Sequence, residues 1–70
     1  MTLEAHQQRV VEEYNQLANK LNALRSFLRT VKERDLSELE VDLLQQQYGI
    51  MAAYAKVLSE RIELFMKDEE

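Results

Sequence analysis

The sequence predicts an all-α fold, an antiparallel two-helix hairpin that oligomerises into a four-helix bundle. Three observations carry that expectation. The 70 residues include no proline and a single glycine, Gly49, so almost nothing interrupts a helix, and Ala, Leu, Glu, Gln, Lys and Arg, all strong helix formers, dominate the chain. Two long stretches place apolar residues at alternating steps of four and three, the heptad signature of helices packed along a seam. Between them, Ser37-Glu38-Leu39-Glu40 has the form of a capping box, which marks the start of a second helix.

The first helix is expected over roughly residues 2–32, with ends uncertain by a few residues. Its seam runs Leu3, Gln7, Val10, Tyr14, Leu17, Leu21, Leu24, Leu28 and Val31, and only Gln7 breaks the apolar stripe. Glu33-Arg34-Asp35-Leu36 interrupts the periodicity. The Ser37 hydroxyl is then placed to accept the backbone N–H of Glu40 while the Glu40 carboxylate accepts that of Ser37, with Leu36 and Val41 as the accompanying hydrophobic staple. The second helix is expected over roughly residues 38–67, on the seam Val41, Leu44, Tyr48, Met51, Ala55, Leu58, Ile62 and Phe65. A fold back at Asp35 sets Leu28 beside Val41, Tyr14 beside Ala55, Val10 beside Leu58 and Leu3 beside Phe65, so every layer finds a partner. The whole chain is read as one domain, residues 1–70. One continuous helix in a larger coiled coil is the alternative topology.

The second helix carries more apolar surface than the first can cover. From Tyr48 to Leu58 its only charge is Lys56. A line beside the seam, Leu43, Ile50, Tyr54, Val57 and Leu64, widens the apolar arc to roughly 160°, against roughly 100° for a helix with one buried side. Burying such side chains stabilises by roughly 1.5 to 3 kcal/mol each, which together rivals the whole stability of a small domain. The line is therefore expected to be the oligomer interface. Gly49 and Ala53, with Ala52 nearby, lie on another side and leave room for a further close backbone approach.

Composition narrows the function classes. The chain has no cysteine, which excludes disulfides and thiol chemistry, and a zinc site would rest on His6 and carboxylates alone. The net charge of −4 argues against non-specific nucleic-acid binding, which needs a basic excess. Neither a signal peptide nor a membrane-spanning run is legible, so the expected location is cytoplasmic. No enzyme and no cofactor are expected. Glu12 with Glu13, and Glu60 with Glu63, lack the Glu-x-x-His element of carboxylate metal sites, and the reading for them is solvated charge. Tyr14, Tyr48 and Tyr54 read as packing residues with the hydroxyl at a boundary. Arg25, Arg29 and Lys32, near the end of the first helix with Lys20 and Arg34 close by, form a candidate anion site. Their plainer reading is complementarity to the helix terminus and to Glu38 and Asp42 across the hairpin.

The run Leu17-x-x-Lys20-Leu21-x-x-Leu24-x-x-Phe27-Leu28, followed by Leu43-Leu44-x-x-Gln47, Met51-x-x-Tyr54 and Leu58-x-x-Arg61-Ile62, resembles a group of very short bacteriophage proteins related to an uncharacterised protein of crAss-like phages. The resemblance implies a phage accessory protein, acting in the host cytoplasm, and carries no catalytic residue over. The architecture also looks like the helical-hairpin phage proteins that sequester nucleotide immune signals in oligomeric interfaces, without their ligand-contact motif, so that likeness is one of fold. Two functions follow as expectations. One is a homo-oligomeric anti-defence factor that binds and blocks a host or defence protein through the second helix. The other is a sponge that holds an anionic cyclic nucleotide.

Overall fold

The computed structural model describes residues 3–67, which form two α-helices and no strand: α1 (Ala5–Arg29) and α2 (Glu38–Lys67), joined through a short 3₁₀ turn at Val31–Glu33. α1 packs lengthwise on α2, so the hairpin forms and the continuous-helix alternative does not.

Local chemistry sets each end. Glu4 caps α1 in extended conformation (φ −62°, ψ 156°), and its backbone N–H donates to Gln7 Oε1 at 2.9 Å. Gln7, the one polar position in the seam, therefore closes the helix start, where a leucine has no acceptor to offer. The helix begins at Ala5 rather than near residue 2; Thr2 itself lies outside the described residues. It also ends earlier than residue 32. At Thr30 (φ −110°, ψ 15°) the backbone leaves the α region. The Thr30 N–H and hydroxyl both donate to the Phe27 carbonyl, each at 3.1 Å, which satisfies a terminal acceptor of the helix. The chain then tightens into the 3₁₀ turn, where Glu33 N–H donates to Thr30 O at 3.0 Å.

The start of α2 matches expectation. Ser37 N–H donates to Glu40 Oε2 at 3.1 Å and Glu40 N–H donates to Ser37 Oγ at 3.2 Å, both bonds of the capping box. Every expected seam residue of both helices from Leu3 to Phe65 is buried or half-buried. The register is fixed independently by a bond between helices: Tyr54 donates its hydroxyl to the Glu13 carboxylate. These residues precede Ala55 and Tyr14, the pair that the fold back at Asp35 sets side by side.

The core is nevertheless slight. Val10, Ala55 and Leu58 are its buried side chains among the described residues, and Leu58 alone is fully enclosed. The molecule measures 50 × 16 × 14 Å with a radius of gyration of 15.8 Å, against about 11 Å for a compact chain of this length. Its accessible surface is 5672 Å², against about 4,600 Å² for a compact monomer of its mass. The hairpin leaves much of its apolar surface in water.

Candidate functional site: an apolar face on α2 and a cavity at the turn

Every residue of the expected line on α2 is exposed: Ile50 by 70%, Leu64 by 60%, Leu43 by 54%, Val57 by 51% and Tyr54 by 43%. Leu39, at 67%, extends the face by another turn. Its place within the capping box hides it from the periodic reading, but it lies four residues before Leu43, the spacing that could have revealed it. At 100° per residue, these six positions fall within about 80° of arc, so they form one stripe along the outer flank of the seam. Gln46, Ala53 and Arg61 fall among or beside them. At the N-terminal end of the stripe, Leu43, Gln46, Gln47, Ile50 and Met51 border a shallow groove of about 350 Å³, where the Gln47 amide points to the Met51 sulfur at 3.6 Å.

Tyr54 differs from the rest of the line because its hydroxyl reaches α1. The bond to Glu13, with partial desolvation and the charge of the same carboxylate, raises the Tyr54 pKa above its ordinary value, and Arg61 opposes the shift. Glu13 is accordingly an acceptor between the helices rather than purely solvated charge.

The second feature lies at the hairpin turn. Val31, Leu36 and Val41 form the apolar part of an open cavity of about 590 Å³, while Lys32, Arg34, Glu38, Asp42 and Gln45 supply its polar lining. Arg34 is held in place. Its guanidinium stacks 4.7 Å from the centre of the Phe27 ring, and Nη2 donates to Thr30 Oγ1 at 3.5 Å. A cation so supported presents its charge with less ordering cost than a free surface lysine.

The sequence cluster Arg25, Arg29 and Lys32 is divided by this geometry. Lys32 lines the cavity. Arg25 and Arg29 are exposed on α1, and Arg25 Nη2 donates to Asn22 Oδ1 at 2.9 Å within its own helix. The cation beside Lys32 in the cavity is Arg34, which the sequence sets close by the cluster rather than in it. His6 is exposed. Among the described residues, no three His, Cys, Asp or Glu side chains gather as a metal site, and no helix is long and apolar enough to cross a membrane.

The described residues thus form a small two-helix hairpin with an uncovered apolar face and a cation-bearing cavity at its turn. The chain belongs to the Sequestin family, which it matches over residues 4–64. It is 46% identical, over 61 residues covering 87% of this chain and 95% of the relative, to an uncharacterised 7.5 kDa protein encoded in the denB-rIIB intergenic region of enterobacteria phage T4. The resemblance to short phage helical proteins thus holds across nearly the whole hairpin. No solved structure matches the chain significantly.

Proposed function

We propose that the protein is a non-enzymatic sequestering factor, a homo-oligomer assembled through α2 that withdraws an anionic cyclic nucleotide, of the kind used as an immune signal, by stoichiometric binding. The observation that carries this reading is the turn cavity, which Lys32 and Arg34 line together with the apolar Val31, Leu36 and Val41. Its volume falls within the range of small-ligand pockets, roughly 300–1,000 Å³. Cations suit phosphate oxygens, the apolar surface suits the face of a base, and Glu38 and Asp42 can accept from ribose hydroxyls or an exocyclic amine. The family's name, Sequestin, supports withdrawal of a ligand rather than its conversion.

The test is thermal shift with cyclic mononucleotides, cyclic dinucleotides and cyclic ADP-ribose variants. A ligand bound by the folded state at a hundredfold above Kd stabilises it by about 2.7 kcal/mol. Lys32→Gln with Arg34→Gln should abolish the shift, whereas Arg25→Gln with Arg29→Gln should preserve most of it. Absence of any shift in the parent protein rejects the nucleotide.

A second reading, that the protein binds and blocks a host or defence protein, is favoured by the exposed stripe on α2. It requires that Ile50→Glu or Val57→Glu abolish capture of one defined host protein without changing the nucleotide response.

A further inference from the structure

We infer that the α2 stripe is occupied by α2 of a second copy of this chain, running antiparallel, with the two-fold axis passing between Ala53 and Tyr54. This rests on the assembly through α2 proposed above and adds its orientation and register.

The first argument is area. The surface of the hairpin, 5672 Å², exceeds that of a compact monomer of its mass by roughly 1,000 Å². A standard interface removes about 800 Å² from each partner, so one copy laid along the stripe accounts for most of the surplus. The second argument is pattern. Leu43, Ile50, Val57 and Leu64 recur every seven residues, and their midpoint falls between residues 53 and 54. Reversing the stripe about that point brings Leu43 alongside Leu64 of the second copy and Ile50 alongside Val57 of the second copy. Ala53 then lies close to the axis beside Ala53 of the second copy, where a small side chain lets the two helices approach.

Polar residues decide the direction. A parallel pair in register keeps the four apolar positions matched, but sets Arg61 against Arg61 of the second copy. Like charges at facing positions are unfavourable. The antiparallel pair sets Arg61 beside Gln46 of the second copy. That charge then faces a neutral amide able to hydrogen-bond it. Tyr54 suits the site nearest the axis because its hydroxyl is already bonded to Glu13, leaving the ring as apolar contact without an unsatisfied donor.

The chain has no cysteine, so introduced thiols report on this geometry without background. In the full chain, Leu43→Cys and Leu64→Cys replace side chains that are more than half exposed, so neither removes core packing from the hairpin. On mixing under diamide, they should form a disulfide between the two variants, detected by mass. Each alone should remain largely unlinked, because the antiparallel arrangement separates position 43 of one copy from position 43 of the other by about 30 Å at 1.5 Å per residue. Ala53→Cys alone should link to itself. Self-linking of the Leu43→Cys variant with no mixed product means parallel helices and overturns this inference, while leaving assembly through α2 intact. Light scattering that finds the parent protein monomeric at 100 µM overturns both. An oligomer that forms none of these links, and that Val57→Glu fails to dissociate, assembles through another face and also overturns the inference.

Discussion

At the scale of single residues, the hairpin is held by a few side chains whose polar atoms each have one assigned partner. Ser37 is the clearest. Its hydroxyl accepts the Glu40 N–H at 3.2 Å, so Ser37→Ala should destabilise the fold by about 0.5 to 2 kcal/mol, read as a lower denaturation midpoint with an unchanged slope. Exposed Gln45→Ala should stay within about 0.5 kcal/mol of the parent. Tyr54 makes a different prediction. Its hydroxyl bond to Glu13 raises its pKa in the fold above the unfolded value of about 10. The folded state therefore holds this proton at pH values where the unfolded state has begun to lose it. The associated stability is fully present below the unfolded pKa and is lost as pH rises through the folded one. Above about pH 10, the parent protein should lose stability more steeply than Tyr54→Phe, and titration of tyrosinate absorbance should show Tyr54, one of three tyrosines, ionising late. Identical slopes in the two proteins would mean that the Glu13 bond does not persist in solution.

At the scale of elements, the seam is legible in the sequence because burial follows heptad spacing, and both stripes are buried or half-buried throughout. The capping box is legible because its two bonds are local. The first helix departs from expectation at both ends for related reasons. Gln7 looks like a flaw in the apolar stripe, whereas it accepts a backbone N–H. Thr30 lies one step before seam residue Val31, and nothing in apolar periodicity shows that its N–H and hydroxyl both turn back to Phe27. The sequence sets Arg34 close by the candidate cluster but does not show how it is held, because its support is the ring of Phe27, a contact with no periodic signature. Gly49 allows a test at this scale. It lies within α2 without positive φ, and a Cβ built there meets nothing within 4 Å. Gly49→Ala should raise stability by about 0.5 to 1 kcal/mol, since alanine loses less backbone entropy in a helix. A melting temperature that falls instead would place a close neighbour on this side of α2 in the assembled protein.

At the scale of the whole molecule, the three buried side chains among the described residues are little to set against ordering of the chain, and the proposed association through α2 would supply the missing burial. Ordering costs roughly 1 to 2 kcal/mol per residue in backbone entropy, and small domains offset it only with enough buried apolar surface or added cross-links. This chain has no cysteine for cross-links, and among the described residues the large exposed apolar side chains all lie on one helix. Covering them with a second copy couples folding to protein concentration. For a dimer, each tenfold increase in concentration adds about 1.4 kcal/mol to the free energy of unfolding. The unfolding entropy of two such chains is about 0.3 kcal/mol/K, so the melting temperature should rise by about 4 to 5 °C per decade of concentration, measured by circular dichroism between 5 and 500 µM. Val57→Glu sets a charge in the middle of the stripe, where it must either stay buried without a partner or force the copies apart. It should melt well below the parent at every concentration and show no slope. A parent protein whose melting temperature is independent of concentration across that range, and monomeric by light scattering at its lower end, would be a hairpin that stands alone. The apolar face of α2 would then be held open for a partner of another kind.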